Sequence, residues 1–402
     1  MLNETLKTQK EELKTLLTRN LHKRAKFDTS MQLMRQGIIK AIIGPRRAGK
    51  STFALSLIKE LGEEFIYLNF DNSVLSKIDN HLLLDEAIID VYGKDIKYIF
   101  VDEVQNLYDW ELWINTLHRR GYNIILTGSN ANLLSKELAT HLTGRHIEIE
   151  ILPFSYTEYG GDFDVFYKLG GFPDILLNKY EPKSYIESLE DSILYKDIIS
   201  RYKVRNPDII KSLYTILSAN VSNIYSYKKI KEALELKSEI TVRKYIQYIY
   251  DTYLCIDLFP FKTKVSLQYK SQKKAYLVDN QFIKNSVSLS DMEAKKFENF
   301  IFTELIKNGY IPNKNLFYFK TKNEYEIDFL LKDEGRIKKA VQVCFSLTNL
   351  DTREREMRAL YDASKELAIE EYIIVTDKDV GEYVYKGLKI TVMTAKDFVV
   401  GL

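Results

Sequence analysis

Nine consecutive residues near the N-terminus have the types and the spacing of a phosphate-binding loop. They are Gly44, Pro45, Arg46, Arg47, Ala48, Gly49, Lys50, Ser51 and Thr52. The run matches the pattern Gly-x-x-x-x-Gly-Lys-Ser/Thr, in which backbone N–H groups surround nucleotide phosphates, the lysine reaches the β- and γ-phosphates and the hydroxyl binds Mg²⁺. We therefore expect all nine residues to contact a nucleotide, with Lys50 also acting in catalysis and Ser51 binding the metal.

A phosphate-binding loop connects a strand to a helix, and the segments on either side of residues 44–52 have these two patterns. Residues 38–43 are, apart from Lys40, apolar and mostly β-branched, which is typical of a buried parallel strand. After the loop, Phe53, Leu57 and Leu61 recur at helical spacing. The loop therefore opens a helix, whose N-terminus favours bound anions.

Two adjacent carboxylates, Asp102 and Glu103, follow the apolar run 98–101. Ligands bind at the carboxyl ends of strands in open α/β sheets, so we expect Asp102 to bind Mg²⁺ and Glu103 to activate the attacking water. A further strand-like run, 65–70, separates the loop from this pair along the chain. This run and the Asp-Glu pair favour a hydrolytic ATPase over a small-molecule kinase or a GTPase.

Two later residues are further candidates for the same site. Ser129 ends the apolar run 123–128, where it could sense the γ-phosphate or simply form a turn. Arg145 precedes the strand-like run 147–152. Its guanidinium could stabilise charge in the transition state, within the chain or from a neighbouring subunit, or it could be a structural ion-pair partner.

Size and composition limit the remaining possibilities. A chain of 402 residues is long enough for two or three domains. No run of 18 apolar residues occurs, and residues 1–21 are polar with leucines at helical spacing, so we expect a docking helix there and no membrane span or signal peptide. Only two cysteines, Cys255 and Cys344, are present. We therefore expect a cytoplasmic protein.

A basic segment lies in the middle of the chain. Residues 201–275 contain 15 Lys and Arg against 6 Asp and Glu, although the whole chain has a net charge of only +2. Helical periodicity in 227–236 and 240–254 predicts a helix-turn-helix, followed by a hairpin of 256–261 and 273–278. DNA would contact this segment at the start of the second helix and at the hairpin tip, through the following residues: Thr241, Arg243, Lys244, Lys262, Lys264, Lys270, Lys273 and Lys274. A lid or a protein-docking module is the alternative.

Several short motifs occur in a fixed order in the first half of the chain. They are 44–52, 100–105, 126–130, 142–145, 152–155 and 170–173. This ordered set resembles a family of AAA-superfamily ATPases from archaea and bacteria that carry a C-terminal domain of unsettled function. The resemblance also extends through the C-terminal third, so it covers nearly the whole chain. The resemblance implies an ATPase core, a winged-helix segment and a domain similar to restriction-endonuclease-like nucleases.

The nuclease-like resemblance implies a metal site that this chain does not fully retain. Residue by residue, it matches Glu298 and Asp328 to the metal-binding carboxylates and Gln342-Val343-Cys344 to a Glu-x-Lys element. A neutral amide and a thiol replace the third carboxylate and the lysine, and Mg²⁺ prefers anionic oxygen. We expect this fold without ordinary nuclease activity. Glu326 could substitute for the lost carboxylate only if its strand twisted, since it shares a face with Asp328.

Together these observations predict an α/β protein. We expect an N-terminal helical segment (1–35), an AAA-type ATPase domain with a parallel sheet and a helical extension (36–200), a winged-helix domain (201–278) and an inactive nuclease-like α/β domain (279–402). We expect ATP and Mg²⁺ as cofactors, and DNA, protein partners or self-association as further contacts. The alternatives are an ATP-regulated DNA nuclease and a non-hydrolysing, ATP-bound regulator or scaffold.

Overall fold

The computed structural model of the protein describes residues 1–129, 144–284 and 289–402. The chain divides into two compact units, residues 1–152 and 153–402. Residues 153–200, which we expected as a helical extension of the ATPase domain, belong to the second unit. Among the described residues, no helix combines the length and the apolar character needed to cross a membrane.

The first unit contains a parallel sheet flanked by helices, as predicted. Its described strands are β1 (Ile39–Ile43), β2 (Phe65–Asn69), β3 (Tyr98–Asp102), β4 (Asn123–Gly128) and β5 (His146–Glu150). They lie in the order β2-β3-β4-β1-β5. Thus β2 follows the loop in sequence but lies at an edge, and β4 separates β1 from β3. The carboxyl ends of β1, β3 and β4 therefore meet at one edge of the sheet.

The helices of this unit cover the faces of the sheet. They are α1 (Leu2–Leu17), α2 (Phe27–Met34), α3 (Lys50–Leu61), α4 (His81–Tyr92) and α5 (Trp110–Arg119), with 3₁₀ turns at Leu75–Lys77 and Val104–Asn106. The predicted N-terminal docking helix is α1. It buries Leu6 and Leu13, and the Gln9 side chain pairs with the backbone of Asn69 at 3.0 and 3.1 Å.

The second unit begins with short helices and continues into a small sheet. The helices and helical turns up to residue 270 are Tyr156–Tyr159, Phe163–Leu169, Pro173–Leu176, Pro182–Ser192, Ile193–Ser200, Pro207–Ala219, Tyr227–Ala233, Glu239–Asp251 and Val265–Lys270. The strands are β6 (Ile224–Tyr225), β7 (Cys255–Leu258) and β8 (Lys273–Leu277), paired antiparallel in the order β6-β8-β7. The predicted helix pair and hairpin are thus confirmed, with Ser238 capping the second helix through Ile240 N at 3.1 Å.

A mixed sheet forms the C-terminal part of the second unit. Its described strands are β9 (Leu316–Lys320), β10 (Glu326–Asp333), β11 (Arg336–Val343), β12 (Ile369–Thr376), β13 (Gly381–Tyr385) and β14 (Leu388–Thr394), in the order β13-β14-β12-β11-β10-β9. The helices here are Leu289–Lys307, Leu350–Glu366 and Ala395–Val400, with a 3₁₀ turn at Asn280–Phe282. This part of the chain therefore combines helices with a mixed sheet, in agreement with the α/β character expected for it.

Candidate functional site

The loop between β1 and α3 adopts a backbone conformation that requires glycine at two positions, Gly44 and Gly49. Gly49 adopts a left-handed φ of 91° and precedes the first residue of α3. Gly44 has φ 148°, and a Cβ there would lie 1.9 Å from the carbonyl oxygen of Ile151. The backbone at Gly44 therefore approaches the end of β5 too closely for any side chain.

Lys50 is buried at the base of this loop, with 4% of its surface exposed. Its Nζ donates a hydrogen bond of 3.0 Å to the carbonyl oxygen of Pro45. The ammonium is therefore held over the loop's own backbone, where an anion bound by the loop would meet it. Within the same loop Arg46 is half-buried, and Arg47 and Thr52 are exposed.

The structure brings Ser51 to Asp102, as the sequence predicts for two ligands of one metal. Ser51 Oγ donates to Asp102 Oδ1 at 2.7 Å. Thr127, at the end of β4, donates to the same oxygen. Three elements thus meet at one carboxylate. Thr127 belongs to the motif 126–130, but its contact with Asp102 was not predicted from the sequence.

Burial changes the proton affinity of this carboxylate. Desolvation, with a smaller contribution from the charge of Glu103, raises the pKa of Asp102 to about 6. The hydrogen bonds from Thr127 and Ser51 and the charge of Lys50 oppose this rise. Asp102 therefore lies in a site that disfavours its negative charge, and a cation bound there would restore that charge.

Glu103 lies beside Asp102 and adopts a left-handed backbone, with φ 53°. Its N–H donates to Thr127 Oγ1 at 3.0 Å. Gln105 Nε2 donates to Glu103 Oε2 and also lies 3.4 Å from Ser129 Oγ. Ser129 is 1% exposed at the end of β4. Gln105 therefore connects two predicted site residues, Glu103 and Ser129. It lies in the motif 100–105, but no role in the site was predicted for it.

Arg145 does not lie with these residues. It is exposed, precedes β5, and donates from Nη1 to Asn115 Oδ1 of α5 at 2.9 Å. Since β5 runs parallel to β1, with His146 opposite Ile39, Arg145 lies at the opposite edge of the sheet from the loop, roughly 15 Å away along the strands. This arrangement contradicts an action on the phosphates within one chain. Three residues of the motifs 126–130 and 142–145, namely Asn130, Leu142 and Thr143, lie outside the residues that the structure describes.

Arg24 belongs to the loop's surroundings and was missed in the sequence. It is 7% exposed and lies between α1 and α2. Its guanidinium donates to the carbonyl oxygen of Ala48 at 3.0 Å and to that of Leu152 at 2.6 Å. It therefore ties the loop to the segment after β5. No local motif marks it, because its partners are backbone atoms distant in sequence.

In the second unit, the residues matched to a nuclease-like metal site surround a lysine. Lys274 Nζ lies 2.9 Å from Glu298, 2.7 Å from Glu326 and 3.6 Å from Asp328. Lys274 was expected at a hairpin tip facing phosphates, and it is 2% exposed. Lys273 is likewise paired, with Asp257 at 2.7 Å. The expectation that Lys274 faces phosphates is therefore wrong, because its ammonium is buried among carboxylates, whereas Lys273 is partly exposed and already paired with a carboxylate.

Comparison with known proteins finds three families that match consecutive parts of the chain. Residues 36–160 match the family described as AAA domain, and residues 161–292 and 294–395 match two families described as domains of unknown function, DUF8612 and DUF4143. The solved Walker-type ATPase PABY2304 of Pyrococcus abyssi aligns with 14% identity over 65% of this chain and 95% of that chain, at a TM-score of 0.43.

Two curated relatives align with most of the chain. The uncharacterized protein MJ1544 of Methanocaldococcus jannaschii is 36% identical over 83% of this chain and 80% of its own length. An uncharacterized protein of Haemophilus influenzae is 30% identical over 86% of this chain and 92% of its own length. The protein therefore belongs to the same family as these two relatives, and its N-terminal unit carries an AAA domain of the phosphate-loop ATPase type.

Proposed function

We propose that the protein is an Mg²⁺-dependent ATPase whose nucleotide state controls the arrangement of the domains after residue 152. The hydrogen bond of 2.7 Å between Ser51 and Asp102 carries this proposal. It joins the end of a phosphate-binding loop to the carboxylate that precedes Glu103. A loop hydroxyl and a strand carboxylate at this distance are suited to share one hard cation.

The residues of the chain fit the metal that this reaction needs. Ser51 and Asp102 supply oxygen atoms, which Mg²⁺ prefers, and the buried carboxylate gains from a nearby positive charge. When bound, the metal would neutralise charge on the β- and γ-phosphates.

Each remaining residue of the site has a role in this proposal. Backbone N–H groups of residues 44–52, apart from Pro45, hold the phosphates, and the Lys50 ammonium binds the β- and γ-oxygens. The Glu103 carboxylate orients the attacking water and accepts its proton. The Ser129 hydroxyl hydrogen-bonds the γ-phosphate in this proposal, and the contacts of Gln105 with both side chains couple Ser129 to Glu103.

Replacing Glu103 by Gln tests the catalytic part of this proposal. We expect Glu103→Gln to bind ATP with wild-type affinity and to release phosphate at least about 100-fold more slowly, because the amide cannot accept the proton of the water. Glu64→Gln is the matched control, since Glu64 is exposed after α3. Undiminished phosphate release by Glu103→Gln would refute the role of Glu103. ATP binding without any phosphate release by the wild type would favour a non-hydrolysing regulator.

We further propose that residues 201–275 form a winged-helix module that contacts DNA. The helices Pro207–Ala219, Tyr227–Ala233 and Glu239–Asp251 and the sheet β6-β8-β7 have the element order that such a module requires. Arg243 and Lys244 are exposed on the third helix. A cavity of about 620 Å³, lined in part by Tyr227, Arg243 and Lys270, lies beside this helix. Exposed cations beside tyrosine rings suit phosphates and bases.

Salt dependence and paired substitutions test the contact with DNA. We expect Arg243→Ala/Lys244→Ala to weaken binding of a duplex oligonucleotide at least about tenfold and to reduce the dependence of affinity on salt. Lys378→Ala/Lys389→Ala removes two exposed lysines from the C-terminal sheet region and should leave affinity unchanged. Equal affinity of the two variants, or no binding by the wild type at low salt, would favour the protein-docking alternative.

A further inference from the structure

The acidic cluster of the second unit contains its own cation. Lys274, on β8, reaches Glu298 on the helix Leu289–Lys307 and two carboxylates of β10, Glu326 and Asp328. The lysine side chain is 2% exposed, and Asp328 is 8% exposed. Tyr276, also on β8, donates to Glu298 at 2.6 Å. Two side chains of β8 therefore contact the cluster from the same side.

We propose that the ammonium of Lys274 takes the place of a divalent metal in this cluster. The C-terminal domain then functions without a bound divalent metal. This inference goes beyond the proposed ATPase, because it concerns a separate set of residues in the second unit. It also explains how a nuclease-like arrangement of carboxylates persists although the Glu-x-Lys element has become Gln342-Val343-Cys344.

Charge and geometry both favour the ammonium. Buried carboxylates need a compensating cation, and an ammonium at 2.7 to 2.9 Å from two of them supplies one with directed hydrogen bonds. A metal ion at the same point would lie against that fixed positive charge.

The neighbouring polar groups also have other partners. Asp328 Oδ2 accepts from Val343 N at 2.8 Å. Gln342 donates to Glu356 at 2.6 Å and to the backbone oxygen of Glu326 at 3.0 Å, and it accepts from Asp328 N. The residue that stands where a nuclease has its third carboxylate therefore ties β10 to β11 and to the helix Leu350–Glu366. It is an internal crosslink in place of a metal ligand.

The thiol at the next informative position does not supply a metal ligand either. Burial, with a contribution from the charge of Glu356, raises the pKa of Cys344 to about 11. The side chain is therefore a neutral thiol at physiological pH, and it donates to the carbonyl oxygen of Ser346 at 3.1 Å. Divalent magnesium binds poorly to such a group.

Binding of Mn²⁺ to the full-length, nucleotide-free protein tests this proposal, with free Mn²⁺ measured by electron paramagnetic resonance. Wild type and Asp328→Asn should bind the same amount, since neither holds Mn²⁺ in the cluster. Lys274→Ala should bind one additional Mn²⁺ per chain, and Lys274→Ala/Asp328→Asn should lose it. Lys338→Ala removes a partly exposed lysine of the same domain and should gain none.

Two outcomes would overturn the proposal. One is Mn²⁺ binding by the wild type that Asp328→Asn removes, which would show a working metal site. The other is a folded Lys274→Ala variant that gains no Mn²⁺. If Lys274→Ala folds poorly alone, its thermal unfolding temperature should rise with added Mn²⁺ while that of Lys338→Ala does not. The comparison of wild type with Asp328→Asn is decisive even without this variant.

Discussion

Ser51 Oγ lies 2.7 Å from Asp102 Oδ1, although the two residues are 51 positions apart in sequence. The contact joins the start of α3 to the end of β3. Thr127 donates to the same oxygen from β4. Two hydroxyl donors to one oxygen hold the buried carboxylate in place, so the site needs little rearrangement to accept a cation.

The raised pKa of Asp102 predicts how stability depends on pH. Burial moves this pKa from 3.8 to about 6 in the folded protein, so between these values the folded state binds more protons than the unfolded state. The free energy of unfolding contributed by this group should therefore decrease as pH rises through that window. Relative to Asp102→Asn, the metal-free wild type should gain about 2 kcal/mol from pH 7 to pH 4.

Chemical denaturation of the two proteins across this range measures the difference. Asp102→Asn is the matched reference because it keeps the shape of the side chain and does not titrate. A stability difference that stays constant from pH 7 to pH 4, or that shifts in favour of the wild type as pH rises, would contradict the raised pKa. Saturating Mg²⁺ and nucleotide should remove the dependence, since a bound cation favours the ionised carboxylate.

Replacing Gly44 should damage the loop severely. A Cβ at this position meets the carbonyl oxygen of Ile151 at 1.9 Å, so the backbone of the loop or of β5 must move. We expect Gly44→Ala to lose at least about 2 kcal/mol of stability and to bind ATP at least tenfold more weakly. Gly37→Ala, just before β1, is the control, because nothing lies within 4 Å of its added methyl group. Equal effects in the two variants would contradict this explanation.

Arg24 should act on nucleotide affinity through the loop. Arg24→Ala leaves the carbonyl oxygens of Ala48 and Leu152 without these donors. We expect a loss of about 3 kcal/mol in stability and weaker ATP binding, measured by denaturation and by titration with a fluorescent nucleotide. Arg35→Ala removes an arginine whose side chain is 71% exposed, and it should change neither quantity. Unchanged ATP affinity in a folded Arg24→Ala protein would limit Arg24 to a structural role.

The position of Arg145 leads us to expect that two inactive variants complement each other between subunits. Because it lies at the opposite edge of the sheet from its own loop, we expect it to act on the nucleotide of a neighbouring subunit. Arg145→Ala and Lys50→Ala should each lose ATPase activity, and a mixture should recover up to about a quarter of it, since one mixed interface pairs an intact loop with an intact arginine.

The doubly substituted chain gives the control for this mixture. Arg145→Ala mixed with Lys50→Ala/Arg145→Ala offers no intact arginine and should stay inactive. Full activity of Arg145→Ala alone would contradict a catalytic role, leaving the hydrogen bond to Asn115 as its function. A monomeric protein in the presence of a slowly hydrolysed ATP analogue would exclude action between subunits.

Local patterns in the sequence determined the elements of the first unit and most of its site. The glycine and lysine spacing of residues 44–52 specifies a backbone shape, and the apolar runs before Asp102 and Ser129 specify buried strands. These features depend on neighbours in sequence, so no tertiary information was needed. The carboxyl ends of such strands then meet at one edge, which brought Ser51 and Asp102 together as predicted.

Tertiary structure alone decided the partners of the long basic side chains. Arg24 binds carbonyl oxygens 24 and 128 residues away, and Arg145 lies at the edge of the sheet opposite the loop. Lys274 belongs to a basic stretch in the sequence, yet β8 directs it into a carboxylate cluster formed by residues from Glu298 onward. Charge along the chain does not reveal burial, because the free energy of a buried ammonium depends on which carboxylates the fold places around it.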